Sequence, residues 1–299
     1  MPIFKVEGGR AKRLEVSSFK SESELQRLVE QNIEEMFGLK FIETEYYIRP
    51  FRMDTVAFDE ENRSFIIIEY KESEDYSVVD QGLAYLNSLL EHKGDFQLLL
   101  ERKFDKKMED VDWSQSKVIF IAKSFNVYQL GAITGNLAIE LWRYSIFENG
   151  IILFEQITPP ISGAPLSPIK GRIGRRVERE IKVYNVDDHL MHKNATIKEI
   201  LQKLREEILN MNDQIREEVK KKYIAYELGR NFTEFVIQAN AIEAYLNIHI
   251  NQLNDPKKVA EDCTQVGHWG TGDTRFKIKT LSEVPYAISL IKQAYEKRL

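Results

Sequence analysis

The sequence predicts a mixed α/β sheet with flanking helices, followed by a smaller α+β domain. Three observations point there: an amphipathic helix ahead of three strand-like runs, a second helix with more strands behind it, and a break rich in proline and glycine after residue 158. A chain of 299 residues also exceeds one typical core, because single hydrophobic cores stop growing near this size. The expected division is a first domain over 1–158, a linker over 159–186 and a second domain over 187–299.

Hydrophobic residues at 43% and charged residues at 30% supply buried cores with solvated surfaces and argue against disorder. The net charge of -5 excludes a uniformly basic coat for nucleic acid, though a local cationic groove can sit on an acidic protein, since steering follows the local potential. Cys263 is the single cysteine, so an intrachain disulfide and a four-thiolate zinc site are both excluded and a reducing compartment is expected. No uncharged apolar run approaches the ~20 residues of a spanning helix. A soluble cytoplasmic protein is the expectation.

Along the first domain, Phe4 to Val16 alternate around Gly8-Gly9 and predict an edge hairpin, to which no chemistry attaches. Leu25, Leu28, Val29, Ile33, Met36 and Phe37 recur at three-to-four spacing and predict a helix ending near Gly38. Three strands follow, Phe41 to Ile48, Arg52 to Phe58 and Phe65 to Lys71, rich in Ile, Val, Tyr, Phe and Thr. A helix over Val78 to His92 comes next, then a fourth strand over Phe96 to Leu100. Runs at Val118 to Ala122, Leu137 to Tyr144 and Ile151 to Ile157 extend the sheet, with a short helix near Val127 to Ala132.

In the second domain, Ile197, Ile200, Leu201, Leu204 and Ile208 mark a helix. Three strand candidates lie between Tyr223 and Ile248, a helix near Pro256 to Cys263, a strand at Arg275 to Ile278 and a closing helix over Ser282 to Lys297.

The candidate site follows from register. If Phe58 pairs with Phe65 across the polar turn Asp59 to Ser64, opposed residues have numbers that sum to 123, and Asp54 faces Glu69. Opposed residues of an antiparallel pair hold their Cβ atoms ~4.5–5.5 Å apart, and the period of two puts Lys71 on the same face. Two opposed carboxylates need a compensating cation, either Lys71 or a metal. A hard divalent ion suits oxygen ligands, and Mg²⁺ commonly binds one or two carboxylates together with substrate phosphate. That set supports phosphodiester hydrolysis, with Lys71 steadying charge in the transition state. The alternative is a solvated salt bridge at a strand end.

At these residues the chain resembles the PD-(D/E)XK nuclease superfamily: Arg52-Met53-Asp54-Thr55, then Ile66-Ile67-Ile68-Glu69-Tyr70-Lys71, in the order helix, three strands, helix, strand, with methionine where the superfamily name has proline. The resemblance implies a restriction-endonuclease-like fold, Asp54 and Glu69 as ligands of Mg²⁺ or Mn²⁺, and Lys71 as the third catalytic residue. Gln81 and Tyr85, four apart on one helix face, look like the Q-x-x-x-Y element of the RecB-like branch, although ordinary amphipathicity explains them as well. The resemblance further implies a first-helix acid near the metal. Glu24, bordering the apolar face near Leu28, is the choice over Glu30, and Glu24 equally fits a capping box begun by Ser21.

Leu28 to Asn32, Asp80 to Leu83 and Asp112-Trp113-Ser114 extend the likeness to a prokaryotic family of nuclease-like proteins often labelled predicted transport proteins. Lys222 to Tyr226 and Gly267 to Asp273 resemble the domain of unknown function fused to them. The implied function is a metal-dependent nuclease acting on nucleic acid, DNA first. Its alternative is an inactive nuclease-like module that binds nucleic acid or protein. No membrane partner is expected, and a homodimer stays open.

Other motifs carry less. His268 to Asp273 lacks the lysine of a phosphate loop and reads as a structured turn. His189 and His192 could share a face but are too few for zinc. Lys170, Arg172, Arg175, Arg176, Arg179 and Lys182 form a basic stretch that could hold phosphates or be a solvated linker. Tyr223, Tyr226, Phe232, Phe235 and Tyr245 read as core residues before they read as stacking platforms.

Overall fold

The computed structural model describes residues 3–71, 78–105, 107–108, 110–132, 137–157, 172–265 and 271–299. It divides into two compact units, Met1–Lys182 and Val183–Leu299, each a mixture of helices and sheet.

In the first unit β1 (Phe4–Glu7) and β2 (Arg10–Arg13) form a two-stranded ribbon of their own, and β3 (Val16–Ser17) follows. Helix α1 (Glu22–Phe37) buries Leu25, Val29 and Ile33, one residue per turn, and ends at Gly38. Gly38 takes φ 66, the left-handed conformation that suits glycine past a helix end, and donates its N–H to Glu34 O. Then come β4 (Lys40–Ile48), β5 (Phe51–Asp59), β6 (Ser64–Lys71), α2 (Val78–Glu91), α3 (Lys93–Phe104), β7 (Lys117–Ala122), α4 (Val127–Ala132), β8 (Ile139–Phe147), β9 (Ile152–Ile157) and α5 (Arg172–Glu180).

Seven strands make one mixed sheet in the order β3-β8-β7-β6-β5-β4, with β9 also paired to β8. The β4–β5 and β5–β6 pairs are antiparallel, and the β6–β7 and β7–β8 pairs are parallel. Alternation sorts the central strands into two faces. Val56, Phe58, Phe65, Ile67, Val118 and Phe120 pack with α2 and α3, whereas Ala57, Ile66, Ile68, Ile119 and Ile121 pack under α1. Both faces are covered, so the central strands are almost continuously apolar.

Two expectations in this unit need correction. Phe96 to Leu100 is helical, inside α3, because the run has the period of a helix: Phe96 and Leu100 are buried one turn apart while Leu98 is 52% exposed. The expected linker is partly a packed helix. Val177 and Ile181 join the core of the first unit, and Arg176 reaches Glu91 at 2.9 Å and Leu90 O at 3.3 Å. The rest of that stretch, 159–171, lies outside the described residues.

The second unit holds α6 (Val186–Leu190), α7 (Ala195–Leu209), β10 (Arg216–Val219), β11 (Ile224–Leu228), β12 (Arg230–Ile237), β13 (Ile242–Leu246), β14 (Glu261–Asp262), β15 (Thr274–Ile278) and α8 (Val284–Glu296). Its six strands run β10-β11-β12-β13-β15-β14, every pair antiparallel. Ile197, Leu201 and Leu204 of α7 and Leu290, Ile291 and Ala294 of α8 pack on the sheet with Tyr226, Phe232 and Phe235. Tyr223 and Tyr245 are buried as well.

The expected helix over Pro256 to Cys263 is absent. Asp255 accepts Ala260 N at 2.8 Å, its carbonyl accepts Lys258 N at 3.0 Å, and Lys258 has φ 52, so the chain turns and then enters β14. Among the described residues no helix is long and apolar enough to cross a membrane.

Candidate active site

The turn after β5 sets everything downstream. Asp59 accepts Asn62 N at 2.9 Å through Oδ1, a side-chain substitute for a backbone turn. The five pairs that follow, Asp59 with Ser64 up to Thr55 with Ile68, all sum to 123. The paired register ends there, with Asp54 and Glu69 the next residues beyond it. There the carboxylate of Asp54 accepts Tyr70 N at 3.0 Å, and its carbonyl accepts Gln26 Nε2 at 2.9 Å.

Glu69 is 5% exposed, and its oxygens are surrounded by donors. Oε1 lies 3.2 Å from Lys71 Nζ and 2.6 Å from Gln81 Nε2. Oε2 lies 3.1 Å from Tyr85 Oη, which also sits 2.9 Å from Arg52 O and 2.8 Å from Gln81 Nε2. The tyrosine has one proton and serves one of its two acceptors at a time. With Gln81 Nε2 directed at Glu69 and Tyr85, its Oε1 is buried without a partner. The spacing of four thus puts both α2 residues on the same carboxylate.

Asp54 is less well compensated. Its carboxyl is pushed up to about 7, first by burial and then by the charge of Glu69, against the opposing pulls of Tyr70 N–H and Lys71. Burial and the same glutamate hold the Tyr85 hydroxyl protonated, well above the ordinary tyrosine range. One carboxylate fixed by three donors therefore stands beside a carboxyl that exchanges its proton near neutrality, with an ammonium at hand.

The structure brings Asp54, Glu69, Lys71 and Gln81 together and leaves Glu24 aside. Glu24 is exposed and accepts Lys20 N at 2.7 Å, while Ser21 makes no side-chain cap. The first-helix residues that face β5 are Gln26 and Glu30. Thr55 Oγ1 donates to Glu30 Oε1 at 2.7 Å and lies 3.3 Å from Tyr70 Oη. Glu30 falls one helical turn past Gln26, on the same face of α1. Tyr85, weighed in the sequence as a core residue, is a full member of the Glu69 network.

The donor set consists of hard oxygens, two carboxylates and the orphan Gln81 Oε1, which suits Mg²⁺ or Mn²⁺. Among the described residues no group of three or more His, Cys, Asp or Glu is arranged to hold a metal.

The remaining candidates resolve as scaffold. Arg176 pairs with Glu91 and Glu180, and Lys93 with Glu180, whose carboxyl is held below the usual range chiefly by Lys93. Lys170 lies outside the described residues. His189 has a ring nitrogen 2.7 Å from Lys220 O, and His192 lies past the helix end at φ 62. His268 to Gly270 lie outside the described residues. The end of that motif is packed: Thr271 Oγ1 donates to Glu234 at 2.9 Å, and a Cβ on Gly272 would stand 2.8 Å from Leu246 N. Burial pushes the Cys263 thiol up to about 11, which makes it a poor nucleophile.

In comparison with known proteins, residues 186–298 match the family described as Domain of unknown function (DUF5655). The chain as a whole belongs to the same family as an uncharacterized protein of Haemophilus influenzae, with 39% identity over 98% of this chain and 99% of that protein. Two solved structures match in part. A repair endonuclease from Pyrococcus abyssi matches with 21% identity and a TM-score of 0.25, over 38% of this chain and 42% of that one. The EndoMS–dsDNA2 complex matches with 18% identity and a TM-score of 0.22, over 38% of this chain and 40% of that one.

Proposed function

We propose that the first unit is a metal-dependent nuclease of the RecB-like PD-(D/E)XK type, cytoplasmic, hydrolysing phosphodiester bonds in nucleic acid, DNA first. The observation that carries the reading is the convergence of Asp54, Glu69 and Lys71 at neighbouring strand ends, with Gln81 and Tyr85 holding Glu69 from α2.

Asp54 and Glu69 would hold Mg²⁺ or Mn²⁺, with Gln81 Oε1 beside them. Such an ion, when bound, neutralises phosphate charge and lowers the pKa of a coordinated water. The chain supplies the rest. Gln81 and Tyr85 orient the Glu69 carboxylate, so that it meets its ligand without reorganising. Lys71, 18% exposed at its side chain, brings a fixed positive charge to the extra negative charge of a five-coordinate phosphorus. The backbone N–H of Tyr70 orients Asp54 in the same way.

The test is cleavage of single-stranded, double-stranded and branched DNA, and of RNA, in Mg²⁺, Mn²⁺ or EDTA. Metal-dependent cutting that Asp54→Ala abolishes without unfolding the protein supports the reading. A second reading, a nuclease-derived module that binds without cutting, draws on the acidic set among the described residues, two carboxylates with no third His, Cys, Asp or Glu grouped to hold a metal. Retained binding with no cutting on any substrate selects it.

A further inference from the structure

Both strands of the β1–β2 ribbon are exposed on both faces. All eight of its strand residues are exposed, with Phe4 at 52% and Val6 at 69%. The segment Phe4 to Arg13 carries four cations, Lys5, Arg10, Lys12 and Arg13, against the single carboxylate of Glu7, on a chain whose net charge is -5. Lys5 pairs with Glu7 at 2.6 Å. Arg10, Lys12 and Arg13 make no ion pair among the described residues.

The register makes this costly. Lys5 lies directly opposite Lys12, and like charges so opposed destabilise a strand pair. A lone two-stranded ribbon is marginal even without that penalty. A polyanion laid along the ribbon would offset both.

The sheet register also places the ribbon. Lys71, Ala122 and Arg143 stand level across β6, β7 and β8. Those three strands are parallel, so their C-terminal ends share the end of the sheet that carries Glu69 and Lys71. Val16 of β3 pairs with Phe147, four residues past Arg143, and Glu15 O accepts Glu148 N at 3.0 Å. Because β3 runs against β8, the chain ahead of Val16 continues past that same end. Leu14, 3% exposed and donating its N–H to Ile3 O at 2.9 Å, anchors the ribbon there. At ~3.3 Å per residue and ~4.8 Å per strand, Val16 falls about 20 Å from Lys71 and the base of the ribbon at Leu14 about 25 Å, an interval of roughly seven base pairs at ~3.4 Å each.

We propose that the β1–β2 ribbon is a nucleic-acid-binding arm that grips the phosphate backbone of double-stranded DNA whose other contacts lie at the Asp54–Glu69–Lys71 end of the sheet. A major groove ~12 Å wide admits a two-stranded ribbon, and Arg10, Lys12 and Arg13 supply phosphate contacts that position the duplex without reading its sequence. The inference rests on the nuclease reading for the placement of DNA at this end, and its test does not depend on cutting.

The test compares the wild-type chain with Lys5→Ala/Arg10→Ala/Lys12→Ala/Arg13→Ala. Binding to a fluorescent 30-base-pair duplex is measured by anisotropy in EDTA over a salt series. Each neutralised phosphate contributes a slope of about -0.9 to log K against log salt, so the variant should show a slope shallower by about 2–4 and an affinity on the order of 10–100-fold weaker at low salt. The charge-retaining Lys5→Arg/Arg10→Lys/Lys12→Arg/Arg13→Lys should keep the wild-type slope. Every substituted side chain is exposed, so the variant should stay folded, its thermal midpoint no lower than the wild type's once the Lys5–Lys12 opposition is removed.

An unchanged slope, or no duplex binding by the wild type, overturns the proposal. So does a loss confined to anionic lipid vesicles or to self-association, either of which assigns the ribbon to another partner. Failure of the nuclease reading looks different: no metal-dependent cutting by the wild type, whatever the slope.

Discussion

Replacing Asp54 with asparagine tests the electrostatics of the site with no substrate at all. The carboxyl titrates near 3.8 in an unfolded chain and at about 7 in the fold, through burial first and Glu69 second. Its folded value is raised, so between those two pH values the unfolded chain has given up a proton that the folded chain retains. Stability contributed by the protonated group is present below about pH 4 and lost as pH rises towards 7. A rise of that size corresponds to on the order of 4 kcal/mol at pH 8, and the partial exposure of Asp54 reduces it to about 2–3 kcal/mol. Asparagine keeps an oxygen for Tyr70 N–H and carries no charge. In EDTA, Asp54→Asn should therefore match the wild type in urea unfolding at pH 4 and exceed it by about 2–3 kcal/mol at pH 8. Taking the difference at each pH cancels the titration of carboxylates that do not interact with Asp54, so what remains belongs to Asp54 and its neighbour Glu69. A gap that does not widen with pH would refute the account of Asp54 as an ionisable group strained by burial and by Glu69.

Glu69→Gln should abolish metal-dependent cleavage, a loss of about 10²-fold or more in kcat/KM, with the far-UV spectrum unchanged; retained cutting would remove Glu69 from the site. Tyr85→Phe deletes the hydroxyl between Arg52 O and Glu69 Oε2 and should cost about 1–3 kcal/mol in urea unfolding, the usual range for orphaning a buried acceptor. Gly82→Ala would place a Cβ 2.7 Å from Ile139 Cδ1 and 3.2 Å from Phe120 Cε2. Overpacking of about 1–3 kcal/mol then outweighs the ~1 kcal/mol gain in helix propensity, so the thermal midpoint should fall rather than rise.

The local chemistry of the β5–β6 hairpin made its register legible: the polar turn Asp59 to Ser64 and the matched apolar strands left one pairing that keeps Val56 and Ile67 on a covered face. Two helix-against-strand errors had a different origin. Phe96 to Leu100 is rich in leucine and phenylalanine, and a short apolar run does not reveal its period until Leu98 is known to face water. Pro256 to Cys263 has helix-forming composition, but Asp255 captures the backbone that a helix would need. The choice between Glu24 and Glu30 depended on which side of α1 meets β5. That is fixed by packing of Leu25, Val29 and Ile33, a tertiary fact that single-sequence periodicity leaves ambiguous by one turn. The helix Arg172–Glu180 hid within a strongly charged stretch because its buried apolar face rests on Val177, with Ile181 just past its end.

The edge strand β3 has a consequence for biosynthesis. Val16 pairs with Phe147, 131 positions later, so at about 5–20 residues per second this strand is made roughly 7–26 seconds before its partner. The basic ribbon attached to it therefore emerges well before the strand that seats β3. A nascent chain would carry that cationic arm untethered through most of the synthesis of the first unit.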